Sequence, residues 1–324
     1  MHNPLVSVCM ITYNHEKYIR DAIEGVLIQK TNFPIELIIG EDCSTDNTRK
    51  IVKEYEAKYP EIIIAQYPEI NRGMMNNFAT VLQSVRGKYI ALCEGDDYWI
   101  DPYKLQKQVD FLEENPDYGL VHADCHFYYE DMGKWEYNAN KNLSNSIKFA
   151  SKKELFYCLV DSECKIRTAT ALFRRDLLKK RPADAKSFSM GDTTMWLDFS
   201  QLAKFKYFDE VFAVYRILSN SASRSNNKKN QYRFNLSMAE MRIYYCNKYN
   251  YTINNKLKDR YNKALLTNLL FDSSFQPLYP LFEPHAFQQF RFKYSRYSLF
   301  NIFFLIIWIF SRFTNVLIKK IEQL

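Results

Sequence analysis

Glycine is scarce: the 324 residues contain eight, all between Gly25 and Gly191, and the last 133 residues contain none. A back third without flexible positions is expected to end in helices rather than in turn-rich loops. No Walker loop, no G-x-G-x-x-G and no nucleophile elbow occurs, so ATPase, dinucleotide and hydrolase readings lack their phosphate or oxyanion devices. The seven cysteines run from Cys9 to Cys246 without a single C-x-x-C. That spacing supplies neither a zinc site nor a disulfide framework and reads as a reducing compartment. The N-terminus offers no signal peptide, because the seven strand-like residues Val6 to Thr12 give way at once to Asn14, His15, Glu16 and Lys17. No apolar run reaches the roughly 20 residues that a spanning helix needs.

Apolar residues make up 47% of the chain and aromatics 16%, enough for a full core, which excludes disorder. Charge is unevenly spread, with a net −5 over residues 1–200 and +12 over 201–324. A basic back half is suited to an anionic surface, whether membrane, phosphorylated acceptor or nucleic acid. The first hundred residues alternate two periods. Strands are expected at Leu5–Ile11, Glu36–Ile39, Ile62–Ala65 and Tyr89–Cys93, with helices between them on the faces of Ile19, Ile23 and Val26, of Ile51, Val52 and Tyr55, and of Phe78, Val81 and Leu82. Such alternation predicts an α/β fold, a parallel sheet with helices on both faces, whose ligands bind beyond the carboxyl ends of the strands. Further on, Leu105–Glu114 and Thr193–Leu202 read as helices, and Leu120–Tyr129, Ala169–Phe173 and Val211–Tyr215 as strands. Residues 131–151 read as a loop. The polar run Ser219–Asn230 separates a domain over 1–225 from a helical region over 226–324, with amphipathic helices near Phe234–Tyr249 and Leu257–Leu270.

Acidic residues gather at the ends of these strands: Glu41 and Asp42 after the second, Glu94, Asp96 and Asp97 after the fourth, and Asp192 in a Gly-Asp turn. Five carboxylates on one sheet edge repel unless a divalent cation sits among them, and hard Mg²⁺ or Mn²⁺ suits carboxylate and phosphate oxygen. Ser44, Asp46 and Asp101 read instead as helix caps.

The ordered pieces Val6-Ser-Val-Cys-Met-Ile-Thr-Tyr-Asn14, Glu36-Leu-Ile-Ile-Gly-Glu-Asp-Cys-Ser-Thr-Asp-Asn-Thr48, Asn71-Arg-Gly73 and Glu94-Gly-Asp-Asp97 resemble family 2 GT-A glycosyltransferases, and the likeness runs on through Gly191-Asp192 and Tyr215-Arg216. It implies a GT-A fold, a Rossmann-like mostly parallel sheet flanked by helices, with a C-terminal helical extension. It also implies an inverting enzyme that moves sugar from a nucleoside diphosphate sugar, expected to be a UDP-sugar, to an acceptor hydroxyl in surface polysaccharide or glycolipid synthesis. The acceptor would be an oligosaccharide or lipid-linked, and nucleic acid is not among the partners. By the same resemblance Thr12 and Tyr13 open the nucleotide pocket, Glu41 and Asp42 meet the nucleobase, and Arg72 faces the nucleotide. Glu94 and Asp96 would serve the ribose and diphosphate, Asp96 and Asp97 the Mn²⁺ or Mg²⁺ ion, and Asp192 would deprotonate the acceptor. Cys43 stands where the family commonly has glycine, which implies a turn that is not left-handed. Leu218 lies where many relatives carry a metal-facing histidine, so none is assigned.

Three features stand beside this reading. His122, Asp124 and His126 alternate on one strand, where a metal triad or a polar face would both fit. Arg174, Arg175, Lys179, Lys180 and Arg181 form a basic run that suits either acceptor phosphate or solvent. Between Arg296 and Arg312 lie fifteen uncharged, mostly apolar residues within the segment 297–318. Two roles stay open for it: an in-plane helix at the inner face of the cell membrane, or a buried core or homodimer contact. Rival functions are a non-catalytic sugar-nucleotide or polysaccharide scaffold and a sugar nucleotidyltransferase.

Overall fold

The computed structural model describes residues 3–140, 151–182, 188, 190–219, 227–271 and 277–279; the segment 297–318 and residues 141–150 of the loop predicted at 131–151 lie outside the described residues. The chain divides into two compact units, Met1–Ser219 and Asn220–Leu324.

The first unit is organised around β1 (Val6–Thr12), a nearly continuous apolar run because both of its faces are covered. It pairs in parallel with β2 (Ile35–Glu41) and with β4 (Tyr89–Leu92), and β2 pairs in parallel with β3 (Ile63–Gln66). Between them run α1 (Ile19–Leu27), α2 (Thr48–Lys58) and α3 (Met74–Gln83), which matches the expected alternation. Glu36 is buried within β2 and ties three segments together. It accepts the Ser7 hydroxyl at 2.5 Å and the Arg86 backbone N–H at 3.0 Å on one oxygen, and the Arg86 guanidinium on the other.

After β4 the sheet changes direction. β5 (Tyr98–Trp99) is followed by α4 (Lys104–Glu114), β6 (Tyr118–Tyr129) and the short β7 (Lys134–Glu136), and then by α5 (Lys152–Val160). A 3₁₀ turn at Thr168–Thr170 leads into β8 (Leu172–Arg174), α6 (Asp176–Lys180), α7 (Gly191–Ser200) and β9 (Lys204–Ile217). The strand order is β3-β2-β1-β4-β8-β6-β9-β5, with β7 on β6. β8 is antiparallel to β4 and β6, β5 is antiparallel to β9, and β6 and β9 run parallel. The mixed half supplies a second wall for the crevice above the parallel half.

Sequence periodicity missed three elements, β5, α5 and β7, the last a strand inside the stretch 131–151 read as a loop. β5 is two residues long, too short for any period. α5 carried a signal that was not used: Ser151 accepts the Glu154 backbone N–H at 3.2 Å, a Ser-x-x-Glu start. One cysteine expectation is corrected. Cys158 and Cys164 form a disulfide, their Cα atoms 5.3 Å apart, because the chain turns back at the end of α5; the other five cysteines are free.

In the second unit α8 (Lys228–Lys248) and α9 (Asn255–Phe271) pack against each other and bury Leu236, Ile243, Tyr245, Leu257, Tyr261 and Leu265, matching the helices expected near Phe234–Tyr249 and Leu257–Leu270. Among the described residues, no helix is long and apolar enough to cross a membrane.

Gly25 shows how closely the first unit is assembled. A Cβ there would lie 2.8 Å from the backbone nitrogen of Trp99 and 3.0 Å from its carbonyl oxygen, so α1 rests directly on β5. Gly25→Ala is expected to cost about 1–3 kcal/mol, because backbone cannot step aside as a flexible side chain can. Thermal unfolding followed by circular dichroism measures this; an unchanged midpoint would contradict the contact.

Candidate active site

Two acid-bearing loops leave the sheet on either side of the end of β1. The Asp42 N–H donates to the Thr12 carbonyl at 3.0 Å, and the Gly95 N–H donates to the Ile11 carbonyl at 3.0 Å. A Cβ on Gly95 would sit 2.6 Å from Thr12 Oγ1, so only glycine allows this approach. Thr12 is buried and meets His15 Nδ1 at 3.2 Å, while Tyr13 is 42% exposed and faces outward. The loops after β1 and β2 interlock. Asn14 accepts the Thr45 N–H, Ser44 accepts the Asn14 N–H at 3.0 Å, and Thr48 accepts the His15 N–H at 2.8 Å. Asp46 accepts from both Glu16 and Thr48, the capping role read from the sequence.

Glu41 and Asp42 are both buried and already bonded. Glu41 accepts the Ser44 N–H at 2.7 Å and pairs with Arg49, which in turn donates to the Pro68 carbonyl. Its carboxylate therefore anchors α2 and the loop after β3. Asp42 accepts the backbone N–H groups of Arg72 and Gly73 at 2.8 and 2.9 Å, and so presents the Asn71–Gly73 loop. Arg72 is exposed at the rim. Cys43 has φ +59°, a correction to the expected turn: the backbone is left-handed there despite the side chain, and the thiol reaches the Glu69 carbonyl. The expectation of five carboxylates in one crevice is corrected likewise, because Glu41 and Asp42 turn into their own loops.

The crowding falls instead on Glu94, Asp96, Asp97 and Asp192. β5 carries the Glu94–Asp97 loop against β9, where Tyr98 pairs with Val214. There the Arg216 N–H donates to Asp97 Oδ1 at 2.8 Å, and its guanidinium donates to the Asp96 carbonyl at 3.0 Å and pairs with Asp21. The same guanidinium lies over the rings of Tyr18 and Tyr98. Glu94 Oε2 is buried without a hydrogen-bond partner. Asp192, in the first turn of α7, accepts the Thr193 N–H at 2.6 Å and the Thr168 hydroxyl at 3.1 Å.

The electrostatics follow from this geometry. Burial, then the charges of Asp96 and Asp192, push the Glu94 carboxyl up to about 8. Burial, then Asp96 and Glu94, raise Asp97 well above the carboxylate range, against the opposing pull of Arg216. Burial raises Asp192, opposed by its bonds from Thr193 and Thr168. Tyr215 is raised by burial and then by the charges of Asp97, Glu94 and Asp96. Thr168, Tyr98, Asp21 and Tyr215 were missed as site residues. Tyr215 stands in the Tyr215-Arg216 pair of the likeness but was given no role; Tyr98 and Asp21 carry no motif and come in through the β5–β9 pairing and Arg216, and Thr168 through the 3₁₀ turn.

The remaining candidates are resolved differently. His122 packs on Tyr207, Asp124 accepts the Asn140 N–H at 2.8 Å, and His126 accepts the Asn138 N–H at 3.2 Å. They do not converge on one ion; the triad instead props a pocket wall and the β6–β7 hairpin. The basic run is largely structural: Arg174 donates to the Tyr118 carbonyl, Arg175 to the Arg86 carbonyl, and Arg181 pairs with the buried Asp198.

A divalent ion fits the Glu94–Asp97 loop by its donor set. Carboxylate oxygens are the ligands Mg²⁺ and Mn²⁺ prefer, and the orphaned Glu94 oxygen is an unfilled acceptor demand. Among the described residues no three acidic, histidine or cysteine groups converge on metal-binding geometry.

Without a divalent ion, folded Glu94 keeps its proton up to about pH 8, whereas the unfolded chain releases it near its ordinary value of 4.5. The folded state binds more protons across that window, so this group makes stability fall as pH rises from about 5 to about 8. Thermal melts in chelator from pH 5 to 9 should show the fall, and Glu94→Gln should flatten it. Added Mn²⁺ should raise the midpoint more at the alkaline end, where no proton needs displacing. An equal slope in Glu94→Gln would contradict the assignment.

Comparison with known proteins bears on this arrangement. A profile described as glycosyl transferase family 2 matches residues 7–181. An uncharacterized glycosyltransferase of Methanocaldococcus jannaschii is 30% identical over 233 residues, 71% of this chain and 76% of that one. An uncharacterized protein of Mycobacterium tuberculosis is 46% identical over 129 residues, 40% of this chain and only 37% of that protein's length. TuaG of Bacillus subtilis, a glycosyltransferase assigned to teichuronic acid biosynthesis, is 41% identical over 111 residues, 34% of this chain and 43% of TuaG. Among solved structures, S. aureus TarS 1-349 in complex with UDP-GlcNAc superposes with a TM-score of 0.55 at 18% identity, covering 82% of this chain and 73% of that one. The mannosyltransferase PcManGT of Pyrobaculum calidifontis, in complex with GDP-Man and Mn²⁺, gives 0.51 at 15% identity over 95% and 85%. These likenesses show the GT-A fold. The strand-end loops that carry Asp42 and the Glu94–Asp97 acids lie within the matched residues, and the chain belongs to glycosyl transferase family 2.

Proposed function

We propose that the chain transfers a sugar from a UDP-sugar to an acceptor hydroxyl, with inversion, in the synthesis of a cell-surface polysaccharide or glycolipid. The observation that carries the reading is the crowding of the half-buried Glu94 and Asp96 with the buried Asp97, and of Glu94 with Asp192, because like charges so placed are costly unless a cation and a phosphate meet them. Support for the donor class comes from the fold relatives in complex with UDP-GlcNAc and GDP-Man, and for the product class from TuaG.

In this reading the donor lies over the end of β1. Tyr13 and Arg72 flank the nucleobase at the exposed rim, and Asp42, buried and already accepting two N–H bonds, retains lone pairs for a base N–H. Glu41 holds that loop in place through Ser44 and Arg49. Glu94 and Asp96 take the ribose and diphosphate side, and Asp96 and Asp97 would hold the divalent ion. When bound, that ion supplies charge neutralisation for the departing diphosphate. Arg216 braces the Asp96–Asp97 backbone from beneath. Asp192 accepts the proton of the incoming hydroxyl, and burial raises its affinity for that proton. Attack from the Asp192 side inverts the anomeric carbon.

A panel of nucleotide sugars, screened by thermal shift with Mn²⁺ and then by UDP release, tests the donor class. Pyrophosphate release in place of UDP would favour a nucleotidyltransferase. Asp192→Asn should leave donor affinity within a few-fold and slow transfer by about 10²–10⁴. Asp96→Asn should lose Mn²⁺-dependent UDP binding by calorimetric titration. Joint loss of rate and donor affinity in Asp192→Asn would make Asp192 a donor contact.

The reading extends to the site of action. The apolar stretch 297–318, flanked by Arg291, Lys293, Arg296, Lys319 and Lys320, is proposed to lie in plane on an anionic membrane at the cytoplasmic face, next to a lipid-linked acceptor. The full chain should float with anionic liposomes, and a chain cut at about Phe290 should stay at the bottom while still releasing UDP. A full chain that does not float favours a core or homodimer contact.

A further inference from the structure

Lys104 is fully buried in the core of the first unit, and among the described residues it makes no ion pair. Burial lowers its ammonium group to about 7, a cost that an apolar residue of similar volume would avoid. Its Nζ donates to Gln108 Oε1 at 2.9 Å and lies 4.0 Å from the centroid of the Trp99 ring. Both neighbours grip the same short turn. With its oxygen held by Lys104, Gln108 must present its nitrogen to the other side, where Nε2 donates to the Thr170 carbonyl at 2.8 Å. The Trp99 indole N–H donates to the adjacent Ala169 carbonyl at 2.6 Å. Thr170 adds a third grip, its hydroxyl donating to the Arg167 carbonyl at 2.8 Å and accepting the Ala123 N–H at 3.2 Å. The first residue of that turn is Thr168, whose hydroxyl holds Asp192 Oδ2.

We propose that Lys104, Gln108 and Trp99 are positioning residues for the base: they clamp the Thr168–Thr170 turn so that the Thr168 hydroxyl sets the carboxylate of Asp192. The inference rests on the reading of Asp192 as the base. It accounts for a buried amine whose bonds all lead toward one turn. It also couples the two halves of the site, because Trp99 follows Asp97 by two residues and therefore moves with the loop that would meet the diphosphate.

The test uses the full chain and UDP release from the nucleotide sugar that binds best in the panel. Gln108→Met keeps volume and deletes the amide; Thr168→Val keeps shape and deletes the hydroxyl. Each should lower kcat by about 10–100-fold, the range expected when a reacting group is displaced by about an ångström, with donor Kd within two-fold. The double variant should be no slower than the worse single, since both losses act through one bond. Thr168→Ser should restore the rate. A merely structural role would give additive losses, or a lowered melting temperature with kcat unchanged, and either result overturns the proposal. Loosened donor binding in step with kcat overturns it too. If Gln108→Met does not fold, Trp99→Phe, which keeps the ring under Lys104 and removes only the indole N–H, takes its place in the same cycle. Asp192→Asn separates the two readings. If it transfers at the wild-type rate, the base reading and the clamp both fall; if it is inactive while the losses are additive, the clamp alone falls.

Discussion

Like-charge repulsion inside a poorly solvated crevice is the constraint on which the rest of this structure turns. Burial raises the hold of Glu94, Asp97 and Asp192 on protons, and neighbouring acid charges raise Glu94 and Asp97 further. Asp97 and Asp192 are each held by groups that tolerate charge. Arg216 grips Asp97 and the Asp96 carbonyl, and Thr193 and Thr168 bond Asp192. Only Glu94 keeps a buried oxygen without a partner. That asymmetry distinguishes an arrangement with a demand still to be met from a solvated acidic surface.

Two half-sheets meet to make the arrangement. The parallel half delivers loops to the end of β1, and Gly95 lets one of them pass against Thr12. The mixed half contributes Arg216 and Tyr215 from β9 and, through the 3₁₀ turn, Thr168. β5, only two residues long, is the hinge of the design: it pairs with β9, seats α1 against its backbone, and projects Trp99 toward the Thr168–Thr170 turn. The Lys104–Gln108 pair lies behind that turn, so a buried cation stands on the far side of the acids' scaffold.

The loops after β1 and β2 obey a different logic. Asn14, Ser44, Thr48, Asp46 and Glu16 bond across the gap between them, and Glu41 and Asp42 turn inward to hold α2 and the Asn71–Gly73 loop. Residues that look alike on paper, acids at strand ends, thus divide into two that shape the rim and four that crowd the centre. Cys43 illustrates the same point, since the backbone bends left-handed for the loop whatever side chain sits there.

Much was decided by the sequence alone. Period-2 and period-3.6 patterns are local, so β1 to β4, α1 to α3 and the helices α8 and α9 followed from spacing, and the ordered strand-end motifs were enough to point to the family. Asp46 as a cap was legible for the same reason: capping involves neighbours in sequence. What only the tertiary structure decided were matters of long-range pairing. The β6–β9 pairing, the direction of β8, the division of labour among the carboxylates and the Cys158–Cys164 disulfide all depend on which segments fold beside one another. A buried lysine reads in sequence as one more surface charge, because burial and hydrogen-bond partners are properties of the packed chain. The acids could be counted in advance, but which of them repel was settled by the distances that packing imposes.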